Sequence, residues 1–261
     1  MAKSSYEERY CAYIDILGFS DLIGRLRTGS LSFETIRSLL KRIHAPYDPA
    51  IIDFEHCDFR AQSISDAVTL STQPTIAGLG MLIAAIRQLS VALLHEGYFV
   101  RGALCKGLLY HDESTVFGDA LIKAYTLEQE VVRFPRIMLT KDVVDDAMAS
   151  AKRDEFQEHI RQAEDGPYFV HILWKLWMLL DLIHRHDYEN EEPDLTFYAH
   201  IRQMIERKFW ESVDTPRHFE KVQWFCRYWN GSIINIRTSV GRISGPGLDP
   251  LGGVRLSGGF S

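Results

Sequence analysis

The sequence predicts an α+β fold, a ferredoxin-like βαββαβ core followed by a helical extension. Three observations predict it. Apolar runs of strand length and longer helix-like segments follow one another in the order β-α-β-β-α-β between residues 10 and 140. A tight turn, Ser63-Ile64-Ser65-Asp66, joins two neighbouring strand-like runs. Beyond Gly166 the texture changes to helix-length segments rich in Trp and Tyr.

Residues 10–17 (YCAYIDIL) are apolar and aromatic and read as a buried strand interrupted by one acid, Asp15. Gly18-Phe19-Ser20 then turns the chain into a short helix from about residue 21. A second helix is expected over 33–44, with Ser32 as N-cap and Pro46 and Pro49 beyond its end. Residues 51–62 and 67–71 read as the two strands joined at 63–66. Residues 76–96 form a long apolar helix, and Gly97 suits its C′ position. A strand follows over 98–109, with a turn at His111-Asp112-Glu113. A helix over 118–131, a short strand over 136–139 and a helix over 141–150 complete the core. In the extension, a strand over 168–172 precedes helices at 174–186, 195–212 and 216–229. The glycine-rich tail from Ser239 is expected to be mobile or ordered only by a partner. No internal repeat is visible. The reading is one domain over 1–261, with a core at 10–140, an extension at 166–238 and a tail at 239–261.

The chain has 261 residues, 46% hydrophobic and 25% charged, which excludes a disordered chain, a collagen-like fibre and a disulfide mini-protein. With 29 Lys plus Arg against 35 Asp plus Glu, the formal charge is −6. Phosphate neutralisation along a polynucleotide needs a cationic surface, so no nucleic-acid partner is expected. Residues 1–10 are polar and lack the apolar segment of a secretory signal. The stretch 170–183 is too short to span a bilayer and contains His171, Lys175 and Asp181, so no membrane partner is expected. Cys11, Cys57, Cys105 and Cys226 are scattered without a C-x-x-C pair, the pattern of reduced thiols in a cytoplasmic protein. His184-Arg185-His186-Asp187 closes an expected helix, where cations favour the C-terminal dipole end, and reads as a helix end rather than a metal cluster.

Chemistry enters through the topology. In a ferredoxin-like sheet the first and third strands are adjacent and antiparallel, so the end of one lies beside the start of the other. Asp15 ends the first strand and Asp66 begins the third, which puts two carboxylates at one rim. Paired carboxylates bind divalent cations through hard oxygen ligands. The helix opened by Gly18-Phe19-Ser20 offers free N–H groups to an anion. Paired acids beside a helix N-terminus describe a site for metal-bound phosphates, where two ions serve the attacking and leaving oxygens. Each acid alone has a structural alternative: Asp15 as a helix cap and Asp66 as a turn residue.

These residues carry a family resemblance. Tyr13-Ile14-Asp15-Ile16-Leu17-Gly18-Phe19-Ser20 resembles the first metal motif of class III nucleotidyl cyclases, and Ser63-Ile64-Ser65-Asp66-Ala67 resembles their second. Val100-Arg101-Gly102-Ala103-Leu104-Cys105-Lys106-Gly107 is similar to their arginine-led strand ending in glycine. Val116-Phe117-Gly118, Ala124 and Leu127-Glu128 resemble the loop and helix that follow. The likeness covers residues 10–140 with four motifs in order. The whole chain most resembles the bacterial pyrimidine cyclases of the Pycsar antiphage system, including its aromatic C-terminus around Val222-Gln223-Trp224-Phe225 and Tyr228-Trp229-Asn230.

The resemblance implies conversion of UTP to 3′,5′-cyclic UMP and pyrophosphate as a second messenger, with CTP to cyclic CMP as the alternative. It implies two Mn²⁺ or Mg²⁺ ions held by Asp15, Asp66 and the Ile16 carbonyl, with Arg101 on the triphosphate. Phe19, Gln62, Lys106 and Thr115 become further substrate contacts. Gln62 and Thr115 stand where adenylate-specific relatives carry a Lys and an Asp that read the base, and an amide both donates and accepts. It further implies a homodimer with active sites at the interface. Where many relatives carry a transition-state Asn and Arg, this chain has Ile122 and Thr126, with Lys123, Tyr125 and Arg133 nearby. That departure leaves open a non-catalytic nucleotide-binding module. A palm-like nucleotidyltransferase also uses paired carboxylates, but the acidic charge and the lack of a basic stripe count against a template.

Overall fold

A computed structural model describes residues 5–34, 37, 57–174, 195–233 and 241–248. Eleven residues of alternating burial, Glu7–Leu17, form β1. Its even positions Tyr10, Ala12, Ile14 and Ile16 enter the main core, and its odd positions face the other side of the sheet. Gly18 then adopts φ 86, a left-handed conformation that glycine reaches without a Cβ clash, and α1 runs over Phe19–Arg27. The hairpin β2 (Arg60–Ile64) and β3 (Ala67–Thr72) turns at Ser65-Asp66, with Ser65 held at φ 59. The 20-residue α2, Ile76–His95, is capped by Thr75, whose side chain accepts from the Gly78 N–H. It is long and apolar enough to cross a membrane, but it is buried against the sheet as the core helix.

The long strand β4 (Phe99–His111) and the short β5 (Val116–Phe117) bracket a turn, and α3 follows over Asp119–Glu130. The remaining elements are β6 (Ile137–Leu139), α4 (Lys141–Ala149), α5 (Arg153–His159), β7 (Ile160–Gln162), β8 (Tyr168–Val170), α6 (Leu195–Glu211) and α7 (Pro216–Ser232).

The sheet order is β2-β3-β1-β4-β6-β8-β7, with β5 paired to β4. Its first four strands have the order of the ferredoxin-like core, as expected. Among the described residues all strand pairs are antiparallel except β4 with β6. The main core lies between the sheet, α2 and the aromatic residues of α6 and α7. On the opposite face α3 packs Ala120 and Ala124 onto Cys11, Cys105 and Leu109. Gly102 lets β1 and β4 close, since a Cβ there would sit 2.2 Å from the Tyr13 carbonyl oxygen.

Several expectations are corrected. The strand read over 51–62 begins at Arg60 as β2, after a turn at Cys57-Asp58, and 51–56 lie outside the described residues. The first helix begins at Phe19 rather than about residue 21. The expected helices at 33–44 and 174–186 fall largely outside the described residues. The short elements β5, α5 and β7 carry too few periodic positions to be read from sequence. Residues 241–248 are not loose. Ile243 is 1% exposed, its N–H donates to Asn230 Oδ1 at 2.8 Å, and Asn230 Nδ2 donates back to its carbonyl at 2.9 Å. A buried amide that satisfies both backbone groups anchors this segment to α7.

Candidate metal and nucleotide site

Asp15 and Asp66 meet as the topology requires. Asp15 pairs with Ala67 in the β1–β3 ladder, and the Ile16 N–H donates to the Asp66 carbonyl at 3.1 Å. A strand residue presents its N–H and C=O to the same side. The Ile16 carbonyl therefore also faces the hairpin, beyond the last ladder pair. Ser65 holds a left-handed backbone that is uncommon for a residue other than glycine, directly before Asp66. The three oxygen donors expected from sequence thus share one rim.

The electrostatics of Asp15 are set by three neighbours. Burial pushes its carboxyl pKa up, the Arg101 guanidinium opposes this, and the Asp66 charge adds to the rise. Arg101 is the Cα partner of Asp15 across the β1–β4 ladder, and its Nε donates to Asp15 Oδ2 at 3.4 Å. The same Nε lies 2.5 Å from Glu128 Oε1, an ionic contact whose angle falls outside hydrogen-bond geometry. Glu128 is fully buried, at the end of the α3 stripe that starts with Ala120 and Ala124. Burial raises its pKa, with Arg101 pulling the other way. Arg101 is therefore engaged by two carboxylates, both through Nε.

Beside this rim lies a pocket of about 420 Å³, lined by Tyr13, Gln62, Asp66, Thr69, Ile122 and Tyr125 among others. Its floor is the face of β1, β2 and β3 that α3 leaves uncovered. Tyr13 meets Tyr125 edge to face, with ring centroids 5.4 Å apart. Burial and the surrounding carboxylates push the Tyr13 hydroxyl up to about 12, so it is a neutral donor at neutral pH. Gln62 Nε2 donates to the Ser114 carbonyl at 2.9 Å, while its buried Oε1 takes no partner among the described residues. Asp112 accepts from the Ser114 and Thr115 N–H groups, both at 2.8 Å, which fixes that turn. The two residues expected to read a base, Gln62 and Thr115, are thus brought to the same rim through Ser114.

Other expected contacts fall differently. Lys106 is corrected: it is five residues from Arg101 on β4, so it projects from the opposite face. There its Nζ pairs with Asp146 at 3.0 Å and Glu8 at 3.5 Å. The Phe19 side chain is buried, leaving its backbone N–H, at the start of α1, to face an anion. Lys123 pairs with Asp142 at 3.1 Å and Arg133 with Glu220 at 2.6 Å, so both cations near α3 are engaged. Sequence reasoning left out Tyr13 and Glu128 as individual site residues. An acid in register with Ala120 and Ala124 at four-residue spacing is the signal that points to Glu128. Lys221 on α7 was also missed, and its charge acts on Asp15, Arg101 and Glu128.

The donor set fits a hard divalent cation held jointly with a ligand. Among the described residues no group of three His, Cys, Asp or Glu side chains forms a protein-only cage. Two carboxylates and a carbonyl are the partial shell that Mg²⁺-type ions complete with water and phosphate oxygens.

No family model matches the chain, and no curated protein matches it. Among solved structures, it is similar to the monomeric guanylyl cyclase domain of the RhoGC fusion protein from the aquatic fungus Blastocladiella emersonii. That match has 15% identity and TM-score 0.43, and covers 65% of this chain and 98% of that one. It is similar to a bacterial light-regulated adenylyl cyclase at 18% identity and TM-score 0.46, covering 71% and 59% of the two chains. A class III adenylyl cyclase-like ATP-binding protein from Pseudomonas aeruginosa matches at 14% identity and TM-score 0.39, covering 56% and 36%.

Proposed function

We propose that this chain is a divalent-metal-dependent nucleotidyl cyclase acting on a pyrimidine nucleoside triphosphate, UTP ahead of CTP. The observation that carries the reading is the meeting of Asp15 and Asp66 at one rim, beside the open start of α1 and a pocket bearing Gln62. The reaction is intramolecular: the ribose 3′ oxygen bonds to the α-phosphorus, the bond to the β-phosphate oxygen breaks, and pyrophosphate leaves. Bound Mn²⁺ or Mg²⁺, held by Asp15, Asp66 and the Ile16 carbonyl, would lower the pKa of the 3′-hydroxyl and neutralise phosphate charge.

The chain's own groups position the substrate. Arg101, paired on Glu128, holds the Asp15 carboxylate, and the Phe19 N–H meets a phosphate oxygen. The Gln62 Oε1, buried beside the pocket and unpartnered among the described residues, accepts from the base once the amide turns toward it. The uracil N3–H and the cytosine amino group both satisfy it, so the preference for UTP rests on the overall resemblance, as does a role in antiphage defence.

The pocket opens past Ile122, 64% exposed, and Tyr125, with Phe117 and Tyr6 stacked nearby at 6.1 Å. Apolar side chains grouped at the mouth of a pocket are the mark of an interaction surface. A symmetric homodimer that closes each pocket with the partner's surface fits this rim.

The test is incubation of the purified protein with each of the four nucleoside triphosphates and Mn²⁺, followed by product mass analysis. Cyclic UMP as the main product supports the reading; no cyclic product from a folded dimer overturns it. A second reading, a binding module without turnover, is favoured by Ile122, an apolar residue where relatives carry a polar one. Calorimetric binding of UTP with no product would select it.

A further inference from the structure

The cations assigned so far leave the substrate's phosphates poorly matched. Arg101 is shared by Asp15 and Glu128, Lys123 and Arg133 have carboxylate partners, and Lys106 lies on the other face. A triphosphate arriving at the rim brings several negative charges next to Asp15, Asp66 and Glu128.

The C-terminal extension reaches the same place. Phe99 opens β4 as the Cα partner of Leu17, at the rim where β1 leaves the sheet for α1, two residues from Arg101. The Phe99 ring packs on Phe225 of α7 at 4.6 Å. Lys221 stands one turn before Phe225 on the same side of the helix. It therefore stands at the same rim as Arg101 and Asp15, and it feels the charges of Asp15, Arg101 and Glu128 together. Its neighbours are pinned. Glu220 pairs with Arg133 at 2.6 Å, and Trp224 stacks on Phe134 at 5.5 Å. Among the described residues, the Lys221 ammonium itself has no ion pair or hydrogen bond.

We propose that Lys221 is the cation that meets the substrate's phosphates, which makes α7 part of the catalytic surface. This rests on the cyclase reading of the Asp15–Asp66 rim and deepens it. Half-burial and the nearby Arg101 both work against the charged amine. An incoming phosphate relieves that cost with a charge-assisted bond. The position also explains why the core carries no free cation of its own on α3: the extension supplies it.

The experiment compares wild type with Lys221→Met and Lys221→Arg. Inorganic tripolyphosphate is titrated calorimetrically in the presence of Mn²⁺, and KM and kcat are measured for UTP. Lys221→Met is expected to weaken tripolyphosphate binding about 10- to 100-fold, the range for a bond to a charged group. It should raise the KM for UTP, while Lys221→Arg recovers most of both. The thermal melt and the binding of Mn²⁺ alone should stay as in wild type. Equal tripolyphosphate affinity in Lys221→Met and wild type overturns the assignment even if the wild type makes cyclic UMP. Weaker binding accompanied by a lowered melt that Lys221→Arg does not repair also overturns it, since that is a packing effect. A wild type that neither binds tripolyphosphate nor forms cyclic product overturns this assignment and the cyclase reading together.

Discussion

Arg101 Nε contacts both Asp15 and Glu128, 3.4 Å from one carboxylate and 2.5 Å from the other. The contact joins β1, β4 and α3 in a single charged cluster at the point where the sheet turns into the candidate site. Asp15 thereby has a fixed direction before any ligand arrives, as a supporting shell would give the metal ligand proposed above.

Removing a candidate metal ligand should separate activity from stability. Asp66 sits in a hairpin turn with its side chain only partly covered. Asp66→Asn and Asp15→Asn should each reduce cyclic UMP formation at least about 100-fold. Asp66→Asn should melt within a few degrees of wild type. Full activity in the Asp66→Asn protein would take that residue out of the chemistry.

Glu128 should matter chiefly for folding. Glu128→Gln leaves Arg101 beside a neutral amide in a buried setting, although Asp15 still holds the guanidinium. Breaking a buried pair costs about 3–5 kcal/mol, and the remaining partner brings the expected loss to about 3 kcal/mol. Urea denaturation midpoints at constant m-value measure it. An unchanged midpoint would mean the pair contributes nothing.

Base preference should respond to Gln62. Its amide nitrogen is committed to Ser114, and its buried oxygen has no partner among the described residues. Gln62→Ala should lower kcat/KM for the preferred pyrimidine about tenfold, the worth of one hydrogen bond, with a smaller effect on ATP. An equal loss for all four substrates would show that the residue does not read the base.

Stability should fall on mild acidification through His111. The imidazole is 2% exposed, its Nδ1 lies 2.7 Å from Ser71 Oγ, and burial beside Arg9 and Arg60 pushes its pKa down to about 4 from 6.5. The unfolded chain binds this proton first as pH falls. The neutral ring's contribution is therefore complete above pH 6.5 and is lost as the pH drops toward 4. The loss is about 2 kcal/mol by about pH 5. His111→Gln should flatten that part of the stability curve, and an identical slope in the variant would exclude this imidazole as the source.

The backbone contact at Gly102 allows no side chain. An added Cβ meets the Tyr13 oxygen at 2.2 Å and Ile14 Cα at 3.0 Å. Gly102→Ala should destabilise the protein by about 3 kcal/mol, at the upper end of overpacking costs because backbone atoms cannot turn aside. A wild-type denaturation midpoint in this variant would mean that β1 and β4 are free to separate there.

The sequence made the architecture readable because each core element carries its own period. The alternation through β1, the glycine after it and the apolar stretch of α2 are local signals. The meeting of Asp15 and Asp66 followed from strand order alone. Lys106 was misplaced although the signal was present, since an odd spacing from Arg101 sends it to the other face. Glu128 was quoted as part of a motif, but its ionic role depends on α3 lying over β4. The position of Lys221 depends on how the extension docks, through Phe225 on Phe99, and no local pattern encodes that contact. The tail looked loose because its glycines are many, whereas the amide of Asn230 holds residues 241–248 from outside the segment.

Crystals grown with Mn²⁺ and a non-hydrolysable UTP analogue, measured at the manganese edge, address the central claim most directly. Anomalous peaks about 2.0–2.3 Å from carboxylate oxygens of both Asp15 and Asp66, with the base against Gln62, are the expected result. Ordered nucleotide with no manganese on either carboxylate would contradict it.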